Sequence, residues 1–324
     1  MDIFSHALLP YLLGKLFKKS KEDITAFVLG GIAPDFDIFI LWINYVYPNF
    51  FLTTHRGLTH SFVFGFFTAI LILYLATGER VRTRVRRYVD FNPVFSRRAV
   101  AFAFAGVVIH LFLDFVTTRG VPLFYPVETT RYSAEVFFYN DIFLTITSLA
   151  IVIFLFKKPL QKNSVMKFLI LYLVVFAGIG AVRLAEKSSA EQFFQIAGIK
   201  AYPTMNPFDW YALAEDGNEI SIFEYNGLDR TSSYNETVPR RLDIFPKEEE
   251  LDDAINTASE LPQVKMFKWR AYAVAINASF SNGTWLLEYY DPLRMAMFRD
   301  SPFIFRRIDT PIRVKVEAGK AVIS

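Results

Sequence analysis

The sequence predicts a membrane all-α helical bundle of five spans, with a short N-terminal helix before it and a small extracytoplasmic α+β domain after it. Three observations lead there. Apolar residues make up 53% of the 324-residue chain and charged residues only 21%, against about 25% charged and 45–50% apolar in a soluble domain. The apolar residues gather in long runs before residue 190, and beyond about 200 the chain changes to short alternating runs with turn signals. The composition excludes disorder. The absence of Cys excludes a disulfide scaffold, thiolate metal sites and Cys nucleophiles. A net charge of +3 is too small to argue for a nucleic-acid partner.

The first segment, 3–17, reads IFSHALLPYLLGKLF. At about 1.5 Å per residue it covers roughly 22 Å, short of the ~30 Å of hydrocarbon in a bilayer. It lacks the basic start and small-residue cleavage site of a signal peptide, so it reads as a short or re-entrant helix packed on the bundle. Five longer runs follow, at roughly 24–47, 58–76, 99–117, 135–156 and 167–185, without the polar stripe of a surface helix.

Charge in the connections sets an expected orientation. Lys15, Lys18, Lys19 and Lys21 precede the first run. Arg80, Arg82, Arg84, Arg86, Arg87, Arg97 and Arg98 lie between the second and third, and Lys157, Lys158, Lys162 and Lys167 between the fourth and fifth. The alternate connections, 48–57 and 118–134, hold only Arg56, Arg119 and Arg131. The positive-inside rule makes the basic connections cytoplasmic. Everything after about 186 then lies outside the cell.

In that tail, EDGNEISIFEY, WRAYAVAINASFSNGTWLLEYYD and RVKVEAGKAVIS read as strands, with Asn282-Gly283 as a hairpin turn. KEEELDDAINTASEL (247–261) reads as a polar helix. Glycosylation-type triplets at Asn235, Asn277 and Asn282 agree weakly with an outside location.

Ionisable side chains at membrane depth are costly and mark functional sites. All four His of the chain, His6, His55, His60 and His110, lie in its first third. In Gly30-Gly31-Ile32-Ala33-Pro34-Asp35-Phe36-Asp37, Pro34 and the glycines predict a helix break. On an intact helix Asp35 and Asp37 would face apart; at a break both can turn to one centre. In His55-Arg56-Gly57-Leu58-Thr59-His60-Ser61, Gly57 permits a turn and Thr59 is a candidate N-cap, which would let His55 and His60 converge. Arg56 is a fixed cation suited to phosphate or carboxylate. His110 and Asp114 share a helix face at i, i+4, as do Asp2 and His6, and Asn140-Asp141 opens the fourth run. Placed on the spans, these groups fall on one side. Imidazole and carboxylate without sulfur suit zinc, manganese or iron, and the number of candidate ligands allows one ion or two.

MDIFSHALLPYLLG, GGIAPDFD, HRGLTHS, HLFLD and TTRGVPLFYP, in this order over about 1–126, resemble the YdjM-like membrane-bound metal-dependent hydrolases. YPTMNPFDWYALAEDG (202–217) is similar to the start of the external region in longer members. A more distant likeness, to zinc-dependent phospholipase C, favours phosphoesters. The resemblance implies a divalent metal, zinc foremost, with His6, Asp35, Asp37, His55, His60, His110 and Asp114 as ligands. Asp2, Arg56, Thr59 and Asp141 would support them.

The expected function is therefore a membrane-embedded metal-dependent hydrolase carried by residues 1–190. It would act on a phosphoester or other ester of a lipid or lipid-linked substrate at the outer face. Asp37 is the candidate general base and Arg56 the candidate stabiliser of developing negative charge. Residues 191–324 form the external domain, and the sequence names no protein partner. The alternatives are a non-enzymatic protein with a structural metal and an external binding domain, or a metal or proton transporter. No inverted repeat supports the transporter, and no G-x-S-x-G, P-loop or Rossmann fingerprint is present.

Overall fold

The computed structural model describes residues 1–50, 52–157, 162–242, 248–299 and 311–324. Lys158 and Lys247, named above in a basic connection and in the polar helix, lie outside the described residues. The chain divides into two compact units, residues 1–42 with 53–184 and residues 43–52 with 185–324.

The first unit is helical. Helix α1 (Ile3–Leu16) is capped by Asp2, whose side chain accepts from Ser5 N. Helix α2 (Lys21–Ile32) begins with a capping box between Ser20 and Asp23. It ends where Pro34 opens a 3-10 turn, Pro34–Phe39, so the expected break is present. A four-residue helix α3 (Ile43–Val46) belongs to the second unit. Helix α4 (Phe62–Thr77) bends by 82° into α5 (Glu79–Val85). Helices α6 (Arg97–Phe115), α7 (Ile142–Lys157) and α8 (Lys162–Phe193) follow.

Among the described residues two helices, Arg97–Phe115 and Ser164–Phe193, are long and apolar enough to cross a membrane, and the bent α4–α5 pair makes a third if taken as one span. The expected count of five comes from apolar run length, which overlooks the backbone. Run 24–47 is cut at Pro34 into a 12-residue helix and a 3-10 turn. Run 135–156 yields a helix only from Ile142, of 16 residues, or about 24 Å.

The unit buries polar groups and exposes apolar ones. Val63, Phe67 and Leu71 on α4, Val108 and Phe112 on α6, and Ile170 and Val174 on α8 are exposed. Asp2, His6, Arg56, His60, His110, Asp114, Asp141 and Arg183 are buried. Helices α2, α4 and α6 share a small-residue core of Ala26, Ala33, Ala69, Ala99, Ala103 and Val107. At the α2–α6 crossing a Cβ on Gly30 would overlap the Ala103 carbonyl, and one on Gly106 would overlap the Phe27 carbonyl. Glycine therefore sets how closely these backbones approach. A second core, with Leu8, Leu12, Ile151, Leu169 and Tyr172, joins α1 to α7 and α8.

The second unit holds the sheets. Strands β1 (Lys200–Pro203), β2 (Asp209–Asp216), β3 (Glu219–Asn226) and β4 (Asn235–Pro239) form an antiparallel meander. Strands β5 (Arg241–Leu242), β6 (Ala275–Ser281), β7 (Thr284–Tyr290), β8 (Ile312–Glu317) and β9 (Lys320–Ile323) form a second sheet, parallel only at β5–β6. Asn282 and Gly283, at φ 50° and 79°, make the expected hairpin turn between β6 and β7. A two-residue hairpin loop with both φ values positive is the turn that favours Asn-Gly. Helix α9 (Glu248–Ser259) occupies the expected polar-helix position, followed by α10 (Pro262–Arg270) and α11 (Pro292–Phe298). α9 packs Leu251, Ala254 and Ala258 against Leu287, Tyr289 and Val314 of the second sheet.

Candidate metal centre

Four local structures of the first unit carry the cluster. α1 brings His6 and α6 brings His110 and Asp114, all buried. The 3-10 turn after α2 carries Asp35 and Asp37. The fourth is the segment that leads into α4. Its turn is made by Arg56, at φ 59°, rather than by Gly57, at φ −101°. A 3-10 turn, Leu58–His60, then presents His60. The cap of α4 is Ser61, whose Oγ accepts from Phe64 N at 3.2 Å. Thr59, the expected cap, instead donates to the Pro34 carbonyl at 3.0 Å and ties the two 3-10 turns together.

The imidazoles meet edge and face. The His6 ring stacks on His110 with centroids 3.7 Å apart, His110 lies 5.0 Å from His60, and His60 5.5 Å from His55. His60 Nε2 is 3.5 Å from both Asp35 Oδ1 and Asp114 Oδ2. His110 Nε2 is 3.5 Å from Asp114 Oδ2 and 3.7 Å from Asp35 Oδ1. His6 Nε2 is 3.4 Å from Asp114 Oδ1. At the outer edge Asp37 meets His55 Nδ1 at 3.0 Å and His60 Nδ1 at 3.4 Å. The seven candidate ligands thus converge. Three overlapping sets could each hold an ion: His6, His110 and Asp114; Asp35, His60 and His110; Asp37, His55 and His60.

The donor set fits a divalent metal. His6 Nδ1 and Nε2, His60 Nε2, His110 Nε2 and Asp114 Oδ2 are buried and carry no hydrogen bond, which native proteins rarely tolerate without a ligand. Metal–ligand bonds of about 2.0–2.2 Å separate neighbouring ligand atoms by roughly 3.3 Å, close to the separations found. The far nitrogens of two of the buried imidazoles are engaged, as is usual for metal-binding histidines. His110 Nδ1 is 2.7 Å from the Gly31 carbonyl, and His60 Nδ1 is 3.1 Å from Thr59 Oγ1.

Arg56 lies against the cluster with its terminal nitrogens already bonded. Nη2 donates to Asp114 Oδ1 at 2.7 Å, and Nη1 to Thr117 Oγ1 and the Thr118 carbonyl, each at 2.9 Å. Its backbone N–H donates to Asp37 Oδ2 at 3.1 Å. The Met1 amine also reaches Asp114 Oδ1, at 2.5 Å. The seven side chains differ in access: His55 is 37% exposed and Asp35 20%, and the others are buried.

Two expected supporting residues stand elsewhere. The Asp2 carboxylate accepts from Ser5 and, at 3.0 Å, from Ser148 Oγ, rather than from the His6 ring. Asp141 caps α7 and pairs with buried Arg183 at 2.8 Å. Sequence reasoning gave no role to Thr117 and Thr118, which hold Arg56, or to Tyr139, whose ring centroid lies 4.2 Å from Arg56 Cζ. The signal available for the two threonines was the TTRG run, a polar cluster directly after the His110–Asp114 face.

A family model described as YdjM inner membrane protein matches residues 1–185. The chain belongs to the YdjM inner membrane protein family. The matched YdjM region contains all seven clustered ligand candidates and covers the whole first compact unit, so this is a membrane protein, as its inverted burial suggests. No curated protein and no solved structure matches the chain significantly.

Proposed function

We propose that the protein is a membrane-embedded, metal-dependent hydrolase acting on a phosphoester or other ester of a lipid or lipid-linked substrate. The observation that carries the reading is the cluster of orphaned imidazole and carboxylate atoms enclosed by apolar-surfaced helices. His6, Asp35, His60, His110 and Asp114 would hold the ion, zinc foremost, with His55 and Asp37 available for a second. A divalent ion supplies Lewis acidity and a lowered pKa for water.

The chain's own groups do the rest. Asp37 accepts from His55 Nδ1 and so leaves Nε2 of the most exposed histidine to exchange a proton with water or a leaving group. Asp37 therefore serves the base through His55. Arg56 holds Asp114 in place and adds a fixed positive charge beside the reacting centre.

In this reading five segments cross the bilayer with the basic connections cytoplasmic. The His/Asp cluster then opens at the outer face, and the domain after about 186 lies outside. The alternation of basic and poor connections supports that orientation. Reporters fused after about 160 and about 200 should fall on opposite sides; cytoplasmic signal at both overturns it.

The burial of His6, His60, His110 and Asp114 favours a second reading, a closed structural ion that clamps α1 to the bundle. Metal analysis of the purified full-length protein, followed by turnover of lipid phosphoesters and esters, separates the two. The hydrolase reading expects bound metal and turnover, both lost in His60→Ala. Bound metal with no turnover of any ester leaves the structural reading. Retention of both metal and turnover in His60→Ala sinks the site assignment.

A further inference from the structure

Helix α5 leaves α4 at 82°. With α4 across the bilayer, an arm at that angle lies along the membrane surface. Val85 packs against the small-residue core of the first unit. Arg86 Nε donates to the carbonyl of buried Phe91 at 2.8 Å. Both contacts hold the arm to the helical body. Arg86 N–H donates to the Arg82 carbonyl and Val89 N–H to the Val85 carbonyl, which carries the helical turn on to Val89. Arg80, Arg84 and Arg87 therefore share one face, at i, i+4 and i+7. By the same spacing Val81 and Tyr88 occupy the flank between that face and Val85. Val81 is 44% exposed and Tyr88 75%.

The arginine stripe has no counter-charge in the protein. Arg80, Arg84 and Arg87 are exposed and, among the described residues, make no hydrogen bond, ion pair or ring contact. The nearby acids are committed elsewhere, Asp90 to Lys21 at 2.8 Å and Asp23 to Arg98 at 2.6 Å. Like charges one helical turn apart repel, so three free guanidiniums on one face call for an anion from outside. The neighbouring side chains indicate its kind. Arginines on one flank and apolar groups on the next match the two layers of a lipid interface, headgroup phosphates and acyl chains. Phe95, half exposed on the return to α6, meets Tyr74 of α4 edge-on with centroids 5.7 Å apart. The pair adds aromatic anchors of the sort that gather at membrane interfaces.

We propose that α5 is an interfacial arm whose Arg80, Arg84 and Arg87 bind the phosphate groups of anionic phospholipids in the surrounding leaflet. A guanidinium grips phosphate oxygens in pairs. Val81 and Tyr88 enter the boundary between headgroups and acyl chains. This role does not depend on hydrolysis at the His/Asp cluster.

The test uses the full-length protein in a bilayer. The chain has no Cys, so Thr83→Cys, at an exposed position of α5, puts a single fluorescent label beside the stripe. The probes are phosphatidylglycerol and phosphatidylcholine, each carrying a nitroxide quencher near the glycerol. Both should quench the label, and phosphatidylglycerol should be preferred by at least about tenfold. The attraction of one arginine to an anionic surface is a factor of about five. Arg84→Gln should lower the preference by about that factor, and glutamine at all three positions should abolish it. Lysine at all three should keep most of it. If the triple glutamine variant does not insert, Arg84→Gln alone carries the test. Lys200→Gln, Lys315→Gln and Lys320→Gln together remove the same charge from exposed positions of the second unit and should change nothing.

An unquenched label puts the arm in water and overturns the proposal. So does a wild type that takes the two lipids equally, or a preference that survives loss of the stripe. An equal loss in the second-unit control would reduce the effect to net charge and overturn it as well. Stripe-dependent binding of a short oligonucleotide without lipid preference would give this face to nucleic acid instead.

Discussion

His60 and His110 each use one ring nitrogen on the protein and leave the other bare. For His110 the partner is the Gly31 carbonyl at 2.7 Å, so Nδ1 carries the proton and Nε2 the lone pair. His55 also bonds through Nδ1, but its partner is the carboxylate of Asp37 and its ring is partly open to solvent. This contrast predicts a division of labour. His55→Gln should retain the metal carried by His6, Asp35, His60, His110 and Asp114 while lowering turnover by about 10²–10⁴-fold, the usual contribution of a general acid–base group. Metal content and kcat measured on one preparation check it. Loss of metal in proportion to activity would make His55 a ligand instead. The individual ligands were legible because an ionisable side chain stands out in an apolar run: PDFD, HRGLTHS and the His110–Asp114 pair all announce themselves. Tyr139 does not, since one tyrosine among 16 Tyr and 35 Phe has no contrast with its surroundings. Thr59 was misread as a cap because Ser61, two residues on, offers the same chemistry.

At the scale of elements, α7 and α8 are joined by a buried ion pair. Arg183 donates to Asp141 through Nε at 3.0 Å and Nη2 at 2.8 Å, and both side chains are fully buried. Removing one partner strands the other charge, at a cost of about 3–5 kcal/mol, whereas replacing both is often neutral. Arg183→Met should therefore destabilise the protein strongly, and Asp141→Asn added to it should restore most of the loss. Thermal denaturation in detergent reads this, and additive losses would mean that the pair is not the cause. In the second unit, burial pushes the Asp291 carboxyl up to about 6, although Tyr272 N–H and Arg294 N–H donate to it at 2.8 and 3.2 Å. The folded state then holds the proton more tightly than the unfolded state, where Asp titrates near 3.9. That contribution is complete below about pH 4 and is lost as pH rises through about 6. Asp291→Asn should flatten the pH dependence of this unit's stability between those values, by on the order of 3 kcal/mol. Hydrogen exchange of β6 and β7 at two pH values measures it. An unchanged slope would show that the carboxyl is not the titrating group. Element boundaries were legible where a local rule dictates them, as at Pro34 and at Asn282-Gly283. They were illegible where apolar runs pass through non-helical backbone, as in 24–47 and 135–156.

For the molecule as a whole, the seven clustered side chains, their backbone partners and the residues around Tyr139 all belong to the first compact unit and to the family-matched region. A chain ended after Phe193, which keeps α8 entire, should bind metal with the stoichiometry of the full-length protein. Loss of metal in a folded, membrane-inserted truncation would place a missing ligand in the second unit. The change from apolar runs to alternating ones near residue 200 made the two-part organisation readable. The sequence could not reveal how the site is assembled, because its pieces come from four local structures far apart in the chain.

The bond from His110 to the Gly31 carbonyl has a genetic consequence. A main-chain oxygen cannot be mutated, so no single substitution deletes the group that fixes this imidazole's tautomer. It can only be displaced, by changing how closely α2 and α6 approach, and that spacing is held by Gly30 and Gly106. In a saturation screen for function, intolerance should therefore appear at two glycines that touch no ligand.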